Sequence, residues 1–388
     1  MTKRNGGTNI NNDKRLSSMS KDIMFEIFLQ LPIRDLVQLK LVCKSWNKLI
    51  TSPMLVECHL KRSKDNSGIM FVVTHHHLDL EPYYISFNDI DHDRSYAIEK
   101  LCSDNPYKFL KYYEILDSCN GLVLTLIRLN GDLIFDERLL VCNPMTKLAI
   151  FLPIPPCGTG SSLYPHTKHI IYHTSIYKYK VVWRCGEDGE YYIMEVDTSS
   201  RQQLTSSWRN ITPSILSTDN VRASVSCEGK LHWLMTKKRD IEEKVKLLTL
   251  DVATEKFDEM ECCLPFDRNN NNPLKFSGSN GKFYHMRVTS WNDFELWDLR
   301  DLNNHQPKWF KHQLWINDPT LSIPPLVGWF DFICESQDGG KFIFMRKDRR
   351  GFLVYEITTQ KFTRLALDEG ATVNIDKSTL VHINSLIS

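Results

Sequence analysis

One recurring unit constrains this chain more than any other feature. A glycine or small-residue turn and an apolar strand begin at Gly68, Gly121, Tyr179, Gly229, Gly281 and Gly340. A second strand follows in each case and ends at Asn88, Asn143, Asp197, Asp251, Asp298 and Glu356, with spacings of 55, 54, 54, 47 and 58 residues. A third strand then runs out, as in Lys256–Met260 and Lys361–Leu365. Short apolar runs separated by Gly, Pro, Asn and Asp read as strands and turns, and this period suits four-stranded sheets set radially. The expectation is an all-β propeller of six blades over residues 68–388. A pair of β-sandwiches with accidental spacing is the alternative. The first unit has no inner strand between Ser63 and Gly68, while the chain ends in a spare strand pattern, Thr379–Ile383. Pairing of Leu380, Val381 and Ile383 with Ile69–Thr74 would close the ring and remove two exposed sheet edges.

Residues 19–63 have a different rhythm, and three short helices are expected there. Ser20 can cap the first, with Asp22 facing its dipole. Ile23, Ile27 and Leu31 fall on one face, and Pro32 stops the helix. Asp35 can cap a one-turn second helix bearing Leu36 and Leu39. The third carries Val42, Trp46, Leu49 and Ile50 on one stripe and ends before Pro53. Residues 1–15 are polar and Asn-rich, which predicts a disordered tail.

With 48 Lys plus Arg against 47 Asp plus Glu, the net charge is +1, so composition offers no support for a nucleic-acid or membrane partner. No apolar run approaches the length of a membrane span, and the N-terminus has no secretory pattern. The 11 cysteines include no Cys-x-x-Cys, and Cys142, Cys185 and Cys334 sit inside apolar runs. Buried reduced thiols in a cytoplasmic or nuclear protein are the expectation.

Signatures of catalysis are missing: the sequence has no phosphate loop, His-Glu-x-x-His or nucleophile elbow. Gly158-Thr159-Gly160 lacks the lysine and the helix of a phosphate loop. His75-His76-His77 reads as a solvent loop, since consecutive extended residues point apart. His232 and His285 occupy matching strand positions beside Trp233 and Tyr284 and read as packed core residues. No cofactor and no metal site are expected.

The order Leu31-Pro32, Val42-Cys43-Lys44-Ser45-Trp46, Leu49-Ile50 resembles an F-box, with Met19-Ser20 standing where the family has Leu-Pro; residues 16–62 are assigned to it. Cys119-Asn120-Gly121-Leu122, Asn143-Pro144-Met145-Thr146, Tyr179–Val182 and Gly229–Leu234 resemble the kelch-related F-box-associated domain of plants. The resemblance implies a non-catalytic substrate receptor of a cullin-based ubiquitin ligase. It implies that Ile27, Leu31, Pro32, Leu36, Val42, Trp46 and Leu49 serve adaptor binding, split between the F-box core and the groove of a Skp-family adaptor that bridges to a cullin. The other partner would be a protein substrate of unknown identity, and neither nucleic acid nor membrane is expected. Connectivity then nominates one face of the disc for that substrate. Loops between second and third strands and between blades are mostly long, and long loops on a rigid scaffold carry recognition. They hold Tyr164, Lys237, Arg239, Phe266, Arg268 and Trp315. The competing readings are a propeller enzyme or carbohydrate-binding module with a helical appendage, and an F-box protein acting outside ubiquitination.

Overall fold

The structure, a computed structural model, describes residues 20–64, 67–74, 80–86, 99–100, 110–129, 136–157, 167–173, 178–185, 189–198, 207–213, 220–236, 245–264, 276–289, 293–304, 306–315, 330–336, 338–346, 351–366, 374–375 and 380–382. The N-terminal tail expectation lies outside them. Four helices come first: α1 (Lys21–Gln30), α2 (Ile33–Leu39), α3 (Lys44–Ile50) and α4 (Pro53–Ser63). Ser20 caps α1 as expected, its hydroxyl accepting from the Ile23 N–H at 3.3 Å. Three sequence expectations change. Asp35 lies within the first turn of α2, and Pro32 is the cap residue instead, with φ −58°. Val42 precedes α3, so it is not on that helix's stripe. Pro53 starts a helix as well as following one: at the first helical position its missing N–H costs nothing, and Ser52 caps that end through the Leu55 N–H at 3.4 Å. From the sequence alone Pro53 reads only as a stop, which gives three helices instead of four.

The β region forms six sheets. Blade 1 contains β1 (Gly68–Thr74), β2 (Leu80–Ser86) and β3 (Glu99–Lys100). Blade 2 is β4 (Leu110–Cys119), β5 (Leu122–Leu129), β6 (Asp136–Asn143) and β7 (Leu148–Leu152). Blade 3 is β8 (Thr167–His173), β9 (Lys178–Cys185), β10 (Glu190–Val196) and β11 (Arg209–Asn210). Blade 4 is β12 (Asn220–Cys227), β13 (Lys230–Thr236), β14 (Val245–Asp251) and β15 (Lys256–Cys262). Blade 5 is β16 (Phe276–Ser279), β17 (Lys282–Val288), β18 (Asp293–Arg300) and β19 (Lys308–Trp315). Blade 6 is β20 (Phe330–Glu335), β21 (Lys341–Arg346), β22 (Gly351–Glu356) and β23 (Lys361–Ala366). Two last strands, β24 (Asn374–Ile375) and β25 (Leu380–His382), return to β1. Val381 pairs with Ile69 and Leu380 with Met70, so the ring closes as the sequence predicts; Ile383 lies outside the described residues.

The repeated turn residues now have a cause. Between first and second strands the pairs Asn120-Gly121, Glu228-Gly229 and Asn280-Gly281 all have positive φ at both positions, the geometry of a two-residue hairpin whose twist matches that of its strands. Between third and fourth strands, the Asn143 side chain accepts from the N–H groups of Met145 and Thr146, and Asp251 accepts from Ala253 and Thr254. Each of these turns then ends in a left-handed residue, Lys147 or Glu255.

Apolar cores fill the seams between adjacent blades, for example Val181 and Trp183 of blade 3 against Leu139 and Val141 of blade 2. His232 is fully buried and bonded to the Thr249 hydroxyl at 2.9 Å, the packed role expected of it; burial pushes its pKa down to about 4. One cysteine expectation fails. Cys185 is paired with Cys157, whose Cα lies 6.3 Å away, because the chain leaving β7 passes over the end of β9. That proximity between two blades has no local sequence signature. Cys142 and Cys334 are buried and free, as expected.

Ring closure generates a prediction. Deleting residues 374–388 strips β1 of its inner partners and leaves two sheet edges open. Thermal unfolding should drop by well over 5 °C and the protein should aggregate on heating; a truncated chain melting with the full-length one would show that closure contributes no stability.

Candidate functional site

The helical domain buries Met24, Phe28, Ile33, Leu36, Ile50 and Leu55 among themselves. Trp46 meets Phe28 edge to face, with centroids 5.4 Å apart. What that packing leaves outside is unusual. Among the described residues, nine large apolar side chains are exposed, and five of them, Ile23, Ile27, Leu41, Val42 and Met54, belong to this small domain. Leu41 keeps 82% of its surface and Val42 61%. A patch of this kind marks a protein-docking surface. Of the residues nominated for adaptor binding, Ile27, Pro32 and Val42 are exposed, Leu31, Trp46 and Leu49 are half-buried, and Leu36 is fully buried. Leu36 therefore belongs to the core side of the expected division. The spacing of Ile23 and Ile27 does pick one face of α1, but it is the outward one; Met24 and Phe28 face the core.

One feature fixes the end of this domain, and a second ties it to the propeller. His59 of α4 is buried, its Nε2 donating to the Leu31 carbonyl at 3.0 Å and its Nδ1 accepting from the Ser63 hydroxyl at 3.1 Å. Burial holds its pKa below the ordinary imidazole value, which suits the neutral ring this pairing needs. The end of α4 is thereby fixed against the end of α1. Then Met145, in the turn between β6 and β7, packs into the helical core and into the blade 1–blade 2 seam at once. Both this turn and the Asn120-Gly121 turn lie on one face of the disc, since first-to-second and third-to-fourth turns share a side. The helical domain meets the propeller on that face, at the turn that carries Met145.

The opposite face carries the loops between second and third strands and between blades. Trp315, at the end of β19 that opens onto it, is 45% exposed. The other residues nominated for the substrate, Tyr164, Lys237, Arg239, Phe266 and Arg268, lie outside the described residues, as does His75-His76-His77.

Around the axis, inner strands of successive blades are joined by side chains. His169 of β8 donates from Nδ1 to Asp117 Oδ2 of β4 at 3.0 Å, and its Nε2 accepts from the Ser224 hydroxyl of β12 at 2.8 Å. The Asp117 carboxylate is oriented by the backbone N–H groups of Ile170 and Ser118. Ser118 in turn bonds His382 of β25 at 2.8 Å. These residues were missed from the sequence because they lie 52 to 264 positions apart in contact pairs. Among the described residues no group of three or more His, Cys, Asp or Glu is arranged to hold a metal, and no helix is long and apolar enough to cross a membrane.

Comparison with known proteins now adds to this geometry. Residues 70–388 match the family described as F-box associated beta propeller domain, and residues 16–57 match the F-box domain. An F-box/kelch-repeat protein of Arabidopsis thaliana is 25% identical over 62% of this chain and 65% of its own length. A second, putative F-box/kelch-repeat protein of that plant is 22% identical over 82% of this chain and 77% of its own. The Arabidopsis F-box protein DOR is 24% identical over 79% and 76%. The chain thus spans somewhat less than two thirds of the first of these relatives. Among solved structures, the beta-propeller domain of the Trilobed protease from Pyrococcus furiosus is similar at 13% identity and a TM-score of 0.37, over 70% of this chain and 75% of that one. Apo AztD from Citrobacter koseri is similar at 9% and 0.36, over 81% and 98%.

The joint at Met145 can be tested. Replacing Met145→Asp puts a charge into an apolar seam, where burial of an unpaired carboxylate is costly. The helical domain should detach, raising the radius of gyration by small-angle scattering and exposing residues 64–67 to protease. Unchanged scattering would show that the joint does not depend on this side chain.

Proposed function

The chain belongs to the F-box associated beta propeller family and carries an F-box domain, and from that premise we infer that it is the substrate-recognition subunit of a Skp-cullin-F-box ubiquitin ligase. The observation that carries the reading is the exposed apolar set on a helical domain whose core side chains are already buried. Ile23, Ile27, Leu41, Val42 and Met54 are the side chains that would enter the groove of a Skp-family adaptor, with Pro32 beside them. Through the adaptor the chain would join a cullin scaffold. The propeller would hold a protein substrate on its long-loop face, away from the helical domain, with Trp315 as one anchor. Aromatic anchors of this kind dominate binding energy at interfaces. The chain would contribute proximity: held near a thioester carried by another protein, substrate lysines react at raised effective concentration. Cytoplasm and nucleus are the compartments in which such a complex works.

The experiment separates surface from core. Ile27→Asp with Val42→Asp should abolish co-purification of the adaptor while the melting temperature stays within a degree or two. Leu36→Ala should instead cost about 2–5 kcal/mol of helical-domain stability through the cavity it leaves. Retained adaptor capture by the surface double variant would refute the assignment.

One observation favours a second reading, a hydrolytic activity. Asp117, His169 and Ser224 are connected as acid, base and nucleophile are in serine hydrolases, which are recognised by geometry and not by sequence position. On the receptor reading the three residues only fasten inner strands together. A fluorophosphonate probe decides: attack by Ser224 Oγ on phosphorus would expel fluoride and leave a stable adduct. The receptor reading expects the intact protein to stay unlabelled by mass spectrometry. An adduct on Ser224 that disappears in His169→Phe would establish the enzyme.

A further inference from the structure

Two cysteines that the proposed function leaves unused meet on the long-loop face. The chain leaves β7 as Leu152-Pro153-Ile154-Pro155-Pro156-Cys157, and this arm is stiff for a local reason. Each proline ring fixes its own φ, and the residue before a proline is kept extended, so few conformations are open between Leu152 and Cys157. The arm is also held along its length. Leu152 lies in the core between blades 2 and 3, Pro155 is buried, and the Pro153 carbonyl accepts from the Trp208 indole N–H at 2.8 Å. Trp208 in turn meets Trp183 of β9 edge to face, with centroids 6.3 Å apart. Two residues beyond Trp183 is Cys185, the last residue of β9.

The arm therefore delivers Cys157 to Cys185, Cα to Cα at 6.3 Å, within the range a disulfide spans. The two residues sit in different surroundings. Cys185 is 3% exposed and packs in the core between blades 2 and 3, whereas Cys157 is exposed. Cys43, Cys58 and Cys263 are exposed as well and are not bonded, so the pairing follows from where the arm ends and not from accessibility alone. One partner is thus open to reagents in solution, and the other is shielded and fixed in position behind it. That is the division of labour between an attacking thiol and a resolving thiol. A disulfide buried at both ends would be a permanent staple. Exposure at one end keeps it within reach of an attacking thiolate, and exposed disulfides are the labile, regulatory ones.

We propose that Cys157 and Cys185 are a reversible redox site, closed by hydroperoxides and opened by dithiol reductants, that locks blade 2 to blade 3 on the face where substrate is captured. The compartment and the consequence for capture rest on the receptor reading; the pair itself stands on the geometry. In cytoplasm and nucleus thiols are kept reduced, so a disulfide there is a sensor and not a fixed staple. Closure balances as follows. The Cys157 thiolate attacks the outer oxygen of a hydroperoxide and becomes a sulfenic acid, releasing the alcohol, or water when the oxidant is hydrogen peroxide. The Cys185 sulfur then attacks the Cys157 sulfur, the S–S bond forms, and the hydroxyl leaves as water with the Cys185 proton. Opening begins with a reductant thiolate attacking the Cys157 sulfur and expelling the Cys185 thiolate, which takes up a proton. The reductant's second thiol then completes its own disulfide and frees Cys157.

The test uses the full-length chain, equilibrated in glutathione buffers across the cytosolic range of poise and, separately, treated with hydrogen peroxide. Differential alkylation and mass spectrometry should find the Cys157–Cys185 bond absent at the reducing end and formed at the oxidising end and by peroxide. Oxidised wild type should melt roughly 5 °C or more above the reduced protein. Hydrogen exchange at the Ile154 and Cys157 amides should speed up at least tenfold on reduction. Cys157→Ser should fold and show no oxidation-dependent shift in melting or exchange, while Cys263→Ser, which removes an exposed thiol elsewhere, should respond as wild type does. Three outcomes overturn the proposal: the bond survives the most reducing buffer, which would make it a permanent staple; neither glutathione disulfide nor peroxide joins the two sulfurs; or exchange at the arm is the same in both states. Adaptor capture is measured in both redox states and should be equal. Its absence in both would remove the receptor reading, while the response of the bond to poise is read by mass spectrometry without it.

Discussion

The structure depends on one short antiparallel pairing. A ring of six sheets is only as continuous as its weakest seam, and here that seam is closed by Leu380–His382 and Asn374–Ile375 lying against β1. Every other blade is made from contiguous chain. Blade 1 alone takes its inner strand from the far end of the sequence, so the first and last strands of the propeller are held by each other. The buried face of that pairing is continuous with Phe71 and Phe352, whose rings meet edge to face at 5.3 Å, and closure therefore also completes the core between blades 6 and 1.

Much of this was legible in the sequence, for local reasons. The hairpin glycines are forced by positive φ, and Asn143 and Asp251 by the turn N–H groups they satisfy, so their period reports the blades directly. Ser20 likewise announces a helix start by capping chemistry, and Pro32 a helix end by its ring and missing N–H. Legibility failed in two physical situations. Pro53 carries two meanings, an end and a beginning, and only the packing of Leu55 into the helical core tells which applies. The other failures are nonlocal. Cys157–Cys185 and Asp117–His169–Ser224 each depend on which blades are neighbours and how they are turned. Periodicity gives the number of blades but not the side chains that meet between them. On α1 the pattern Ile23, Ile27 was correctly seen as a face, yet hydrophobicity alone does not say whether a face looks inward or toward a partner.

The two ends of the molecule answer different demands. One face of the disc is capped by helices that display apolar side chains, where affinity comes from removing surface from water. The other face presents loop ends and an exposed tryptophan, Trp315, where discrimination between partners comes from charge and fit. Between them lies a rigid body of interlocked seams, and nothing in the described chain suggests that binding at one face must deform the other.

Met145 gives this arrangement a consequence for inheritance. One side chain packs against both the core of the helical domain and the core between two blades, so the boundary between them in sequence is not a boundary in packing. A recombination event that joined these helices to a foreign propeller would bring a helical domain stripped of its Met145 contact. Repacking of the helical core is therefore coupled to blade 2 through a turn that lies 90 residues beyond Leu55 and 117 beyond Phe28. The Asn-Pro-Met-Thr turn belongs to the propeller by sequence and to the helices by contact, and grafting experiments that respect only the sequence would cut the molecule in the wrong place.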